Sequence, residues 1–198
     1  MRYTSAMTII RFMRRNFGKS LSISDICRGV DLSYQPVHFH VKQLQDMSVL
    51  SIEKSGRESL CRFTTSEAAA LWLGLLTQAG GRQYRGLVKE VATGLAGHLR
   101  ESWSSYLCVS ICRQQNRLIA VNTGGDADPI SAACKEISPA LDVWAMDGGD
   151  FMGFLETAEG IVWIRSAAVL VGHQRFWQYA LHAGLQAGLV AGPDPHLV

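Results

Sequence analysis

The sequence predicts an α+β chain made of two unlike parts. Up to about residue 49, apolar residues recur every three or four positions, the period of an amphipathic helix. Across "VLSIEKSGRESLCRF" (49–63) the period falls to two, as it does in strands flanking a turn. Beyond residue 104 the two periods alternate, so strands and helices are expected in turn. Charge divides the chain in the same way. Residues 1–64 carry 10 Lys/Arg and 5 Asp/Glu, and residues 101–198 carry 5 and 10, so only the front half suits a polyanion.

Each element follows from local signals. "SAMTIIRFMRRNF" places Met7, Ile10, Phe12 or Met13, and Phe17 near one helical face, with Arg11, Arg14 and Arg15 on the rest and Gly18 as the stop. In "SISDICRGVDLS", Ser22 or Ser24 can cap a second helix whose inner stripe is Ile23, Ile26, Cys27 and Val30. Ser33 then caps a third helix with Pro36 in its first turn, and Val37, Val41, Leu44 and Met47 point inward. Leu50, Ile52, Leu60 and Arg62 bracket a Lys54–Arg57 turn containing Gly56, which predicts a hairpin. "TTSEAAALWLGLL" returns to helix, with Thr64 or Thr65 as cap, Glu67 as a capping-box partner and Gly80-Gly81 as the break. A connecting helix over 84–103 follows from Leu87, Val88, Val91, Leu95 and Leu99.

In the second part, "SYLCVSICR" and "RLIAVN" predict strands joined by a turn at Gln114–Asn116, "GGDADP" a loop and "ISAACKEI" a short helix. "DVWAM", "FMGFLE" and "IVWIRSAAVLV" are expected as strands, and "HQRFWQYALHAGLQAGLV" as the closing helix before a frayed "GPDPHLV". The domains expected are therefore 1–79 and 80–198.

The order helix, helix, turn, helix, hairpin is that of a winged helix-turn-helix. Ser33, Val37, His40, Val41, Leu44, Val49, Leu50, Gly56 and Arg57 stand where ArsR-type regulators carry Ser, Val, His, Leu, Leu, two apolar residues and the wing's Gly-Arg. Residues 5–79 thus resemble that family, which implies a dimeric DNA-binding transcriptional regulator. The resembled family commonly has small polar residues where Tyr34 and Phe39 stand. Its metal sensors often carry a Cys-x-Cys pair, and those positions fall on Ser22 and Ser24 here, so no metal is expected. The order of elements after residue 84 resembles roadblock-type domains, and more loosely PAS or GAF sensor domains. That resemblance implies a small antiparallel sheet of five strands.

The chemistry points the same way. With Val37, Val41 and Leu44 inward, Tyr34, Gln35, His38, Phe39 and Lys42 are expected on the outer arc of the third helix, and Ser33 at its cap joins them as a candidate DNA contact. Gln35 suits an adenine edge, and Tyr34 or Phe39 a thymine methyl. Lys54 and Arg57 at the hairpin tip suit phosphate or minor-groove contact. His38 and His40 are two apart on a helix and cannot share a ligand, so His40 is expected to be structural.

No P-loop, dinucleotide fingerprint or Gly-x-Ser-x-Gly is present, so neither an enzyme nor a cofactor is expected. Asp126 and Asp128, like Asp147 and Asp150 in "DGGD", are expected in loops rather than at a cation. Cys27, Cys61, Cys108, Cys112 and Cys134 have no framework spacing and are expected as unpaired thiols. Cys108 and Cys112 would share a strand face too far apart to bridge. No apolar run reaches the roughly 18 residues of a membrane span, and no signal peptide is evident, so a cytoplasmic chain without a membrane partner is expected.

The function expected is therefore a DNA-binding regulator that reads a short inverted repeat as a homodimer, with a small-molecule or protein effector at the second part. The alternative is a scaffold whose roadblock-like half recruits a partner such as a small GTPase.

Overall fold

In the computed structural model, residues 5–81, 85–98, 105–123 and 128–192 are described. Residues 124–127 of the loop expected at 124–129, the ends of the expected 84–103 helix with Leu99, and residues 193–198 of the expected frayed tail lie outside them; Asp128 and Pro129, expected in that loop, begin a helix instead. The front part runs α1 (Ser5–Arg15), β1 (Leu21–Ser22), α2 (Ile23–Val30), α3 (Tyr34–Asp46), β2 (Leu50–Ser55) and β3 (Glu58–Phe63).

Helix α1 buries Ile9, Ile10 and Met13, and Phe17 follows them into the core before Gly18 turns the chain at φ +84°. Helix α2 starts at a full capping box. Asp25 N–H donates to Ser22 Oγ and Ser22 N–H donates to Asp25 Oδ2, each at 3.1 Å. The Ser22 hydroxyl, which donates to Asp25 Oδ2 at 2.8 Å, and then the Ser22 N–H and Arg28 hold the Asp25 carboxyl below its ordinary range. Of the stripe expected in α3, Val37, Val41 and Leu44 are fully buried, but Met47, at the C-cap past the last helical residue, is 42% exposed. The hairpin turns on Gly56 at φ +61°, with Ser55 opposite Glu58, so two residues make the turn. Strand β1 pairs antiparallel with β3, Leu21 opposite Cys61, giving a sheet ordered β1-β3-β2.

The chain continues as α4 (Glu67–Gly81), α5 (Leu87–His98), β4 (Tyr106–Cys112), β5 (Arg117–Asn122), α6 (Asp128–Ile137), β6 (Asp142–Met146), α7 (Gly148–Leu155), α8 (Ala158–Ser166), β7 (Ala168–Val171) and α9 (His173–Gln186). The whole is mixed α+β. Ser66, not Thr64 or Thr65, caps α4: Ala69 N–H donates to Ser66 Oγ at 3.0 Å.

Three expectations for the second part are corrected. Among the described residues its sheet has four strands and is mixed, in the order β6-β5-β4-β7. Strand β5 is antiparallel to β4 but parallel to β6, because α6 carries the chain back across the sheet before β6 begins. "FMGFLE" and the start of "IVWIRSAAVLV" are helices, not strands. Asp147 caps α7 by accepting from Asp150 N–H at 2.8 Å, and Thr157 caps α8 by accepting from Gly160 N–H at 3.0 Å. Phe151 with Leu155, and Gly160 with Trp163 and Ile164, then fall on buried helical faces. The "DGGD" stretch is thus a helix start rather than a loop.

One sheet face, with Val109, Ile111, Leu118 and Ala120, packs on α5 and α6. The other carries Cys108, Cys112, Ile119, Val121 and Val169 into a core shared with the front part. Ser110 lies on this face too, fully buried, and its Oγ accepts from Trp163 Nε1–H at 3.0 Å.

That shared core runs without a break from Ile9 to Val190. The boundary expected between 79 and 80 falls inside α4, whose Ala69, Ala70, Leu73 and Leu76 are buried. Gly74 gives α4 its close approach to the start of α9: its nearest neighbours there are backbone atoms of Gln174. The two parts also exchange arginines. Arg14 donates to Ala167 O at 2.7 Å, and Arg165 donates to Phe17 O at 2.8 and 2.5 Å. Ala191 N–H donates to Phe63 O at 2.9 Å. All five cysteines are free, and burial pushes the Cys61 and Cys134 thiols up to about 11 and Cys108 up to about 12.

Candidate functional site

The periodicity that buries Val37, Val41 and Leu44 turns Gln35, His38, Phe39 and Lys42 outward, and the helix start leaves Ser33 and Tyr34 uncovered. Ser33, Tyr34, Gln35, His38, Phe39 and Lys42 are all exposed. Tyr34 is 54% and Phe39 57% exposed, unusual for rings with an apolar core within reach. Neither packs beneath a neighbouring element. Tyr34 instead stacks on His38, its ring centroid 5.7 Å away at 23°, while Phe39 meets His40 edge-on at 5.4 Å. Ser33 holds the cap position in extended backbone (φ −67°, ψ 162°), yet its side chain makes no capping hydrogen bond, contrary to expectation. Lys42 Nζ donates to Gln45 Oε1 at 3.1 Å, a contact that leaves further donors for another acceptor. His40 is partly exposed and shares a 3.1 Å hydrogen bond with Gln43 Oε1.

The hairpin supplies the second element. Lys54, on β2 opposite Ser59, and Arg57, in the two-residue turn, are both exposed. A side-chain carbon at Gly56 would meet nothing within 4 Å beyond its chain neighbours, so the turn is open to solvent at that point. The arc and the tip therefore present hydrogen-bonding, aromatic and cationic groups to solvent. No cluster of three or more His, Cys, Asp or Glu able to hold a metal occurs among the described residues. Ser22, where a metal-sensing cysteine would fall, is spent on the α2 cap.

Helix α9 turns its polar and aromatic side chains in two directions. His173 and Trp177 turn inward onto Thr77 of α4. The Thr77 hydroxyl lies 3.1 Å from His173 Nδ1 and accepts from Trp177 Nε1–H at 3.4 Å. Arg175, Gln178, Tyr179 and His182, at i, i+3, i+4 and i+7, instead line a cavity of about 320 Å³ with Leu107 of β4 and Met152 of α7. Burial pushes the Tyr179 phenol up, Cys108 and Asp147 add to that, and Arg175 opposes it.

Burial holds His173 below its ordinary value of 6.5. Above that pH the imidazole is neutral in both the folded and the unfolded chain and contributes no pH dependence. Below it the unfolded chain takes up a proton that the folded chain resists, so stability falls with pH until the folded value is passed. The urea midpoint is expected to be lower at pH 5.5 than at pH 7.5. That difference is expected to shrink in His173→Asn, which keeps a polar partner for Thr77 without a titrating ring. An equal difference in both proteins would place the titration elsewhere.

Among the described residues no helix is long and apolar enough to cross a membrane. No family model matches the chain, and no curated protein matches it. A solved structure that does match is human N-acetylserotonin methyltransferase in complex with SAM, at 12% identity and a TM-score of 0.30. The match covers 71% of this chain and 52% of that one, so the chain spans about half the enzyme's length. The ArsR-type and roadblock-type resemblances are corrected accordingly, since neither family is matched and the structure found belongs to a methyltransferase. The expectation that the chain is not an enzyme is withdrawn with them, because the protein found is one. At that TM-score the likeness assigns neither a fold nor a reaction to this chain.

Proposed function

We propose that residues 5–63 act as a winged helix-turn-helix that docks on double-stranded DNA, in a cytoplasmic transcriptional regulator working as a homodimer. The observation that carries this reading is the outward arc of α3, from Ser33 to Lys42, left uncovered by the rest of the chain and accompanied by a hairpin with Lys54 and Arg57 near its tip. A helix placed in a major groove needs a docked apolar side and a free polar and aromatic side, and α3 has both. Gln35 offers the paired amide groups that match an adenine edge, Tyr34 and Phe39 offer surfaces for a thymine methyl, and Lys42, Lys54 and Arg57 neutralise phosphates. The excess of Lys/Arg over Asp/Glu in residues 1–64 favours this end of the chain for the polyanion.

Dimerisation has separate support. Leu71 and Leu75 lie one turn apart on α4, 44% and 55% exposed, with half-buried Trp72 beside them. Such a stripe on a helix that follows the hairpin suits pairing about a two-fold axis, which would set two reading helices on half-sites of an inverted repeat. The second part would carry the effector. No specific feature of the described residues favours the alternative, a scaffold whose second half recruits a partner such as a small GTPase.

Selection of bound duplexes from a random pool, followed by gel shift of the enriched sequence at low and moderate salt, tests the proposal. The expected result is convergence on an inverted repeat whose binding weakens steeply as salt rises. Folded protein that retards no duplex at micromolar concentration and low salt would overturn it.

A further inference from the structure

We propose that the cavity between α9, α7 and β4 binds a small organic acid, its carboxylate held by Arg175 and its apolar body resting on Leu107 and Met152. At about 320 Å³ the cavity lies at the lower end of the roughly 300–1,000 Å³ typical of small-molecule sites. Its lining is of the kind such sites use, with an apolar floor and a few convergent polar groups.

Arg175 is the cation of the site. Among the described residues it makes no ion pair, and its Nη1–H donates to Gln178 Oε1 at 3.1 Å. That contact orients the guanidinium along the α9 face and leaves other donors for a ligand. Gln178 and His182 flank it on the same face and add hydrogen-bonding groups. Asp147, the acid that bears on Tyr179, accepts from Asp150 N–H at the α7 cap. With no ion pair to a described residue, the Arg175 guanidinium can take an anionic partner from outside, in a half of the chain that is otherwise acidic.

The shape is built in. A Cβ at Gly148 would collide with the Tyr179 hydroxyl, so glycine at that position lets the phenol settle against α7. Gly172, at φ +66°, lets the start of α9 pass directly over the Leu107 carbonyl, where any side chain would strike backbone. The wall bearing Leu107 and the face bearing Arg175 are thereby held in fixed relation. A single guanidinium above Leu and Met favours a monoanion with an apolar tail. A phosphate dianion would meet one permanent cation and an apolar floor, too few donors for its oxygens. Met152, unbranched and adaptable, suits tails of more than one shape.

The test uses the full-length chain without DNA, so a protein that fails to bind DNA leaves the result intact. Hexanoate and 3-phenylpropanoate are titrated by calorimetry beside their primary amides and beside inorganic phosphate. The acids are expected to bind saturably and to raise the melting temperature, and the amides and phosphate to do neither. Arg175→Gln, at an exposed position, is expected to melt like the parent without ligand and to bind the acids about tenfold or more weakly. Leu107→Ser should weaken the acid with the larger apolar body more. Equal binding of acids and amides, phosphate binding as tight as the acids, or unchanged affinity in Arg175→Gln would each overturn the site.

Discussion

Alanine in place of Trp177 is expected to lower the unfolding free energy by about 3–5 kcal/mol, the range for removing a buried tryptophan. The side chain is fully buried where the two parts of the chain meet. Its ring lies edge-on to Phe176 at 5.2 Å and tilted to Phe17 of the front part at 6.5 Å. The Arg14 guanidinium sits 5.4 Å above it, and its Nε1–H reaches Thr77 of α4. Truncation therefore opens a void between α1, α4 and α9 and deprives Thr77 of a donor. Because one core spans both parts, the variant should still unfold in a single transition, with the secondary-structure signal and protease susceptibility of the hairpin changing together in urea. Trp177→Phe, which keeps most of the volume, should cost clearly less. A variant that loses the second part's signal while the hairpin stays protected would show that the parts are energetically separate.

Lys54→Ala combined with Arg57→Ala is expected to weaken DNA binding about tenfold or more and to flatten the plot of log affinity against log salt. If each cation neutralises one phosphate, the slope should fall by about 1.8, since each released counterion contributes about 0.9. Both side chains are exposed and Gly56 keeps its turn, so stability should hardly change. Gln35→Ala should behave differently. Its salt slope should match the parent's, while discrimination at one base pair of the selected repeat falls by about 1–3 kcal/mol. Unchanged affinity and slope in the double variant would mean that the hairpin stays off the duplex.

The surface behind these expectations was legible because it obeys a simple period. Val37, Val41 and Leu44 mark the buried side of α3, and the outward placement of Gln35, His38, Phe39 and Lys42 follows from that period, whereas Ser33 and Tyr34 are exposed because they stand at the open start of the helix. The hairpin was legible through its change of period and through Gly56. What was not legible depends on contacts made across the chain. Strand β1 is two residues long and exists only because Leu21 and Ser22 lie beside β3. "FMGFLE" and "IVWIRS" are short apolar runs that suit strand or helix equally, and the choice rests on caps at Asp147 and Thr157. The parallel placement of β6 follows from the path of α6 across the sheet. The Arg175 cavity needs Leu107 and Met152 from two other elements, so the spacing along α9 reveals only one wall.

The reciprocal arginine ties limit how the protein can be dissected. A recombinant fragment ending at residue 79 would strip Arg14 of its acceptor at Ala167 and release the Phe17 carbonyl from Arg165. It would also lay bare Phe17, Phe63 and Leu73 to water, an invitation to aggregate. The excised front part is thus a poor surrogate for the longer chain, and a chimera that borrows it must bring α8 and α9 along.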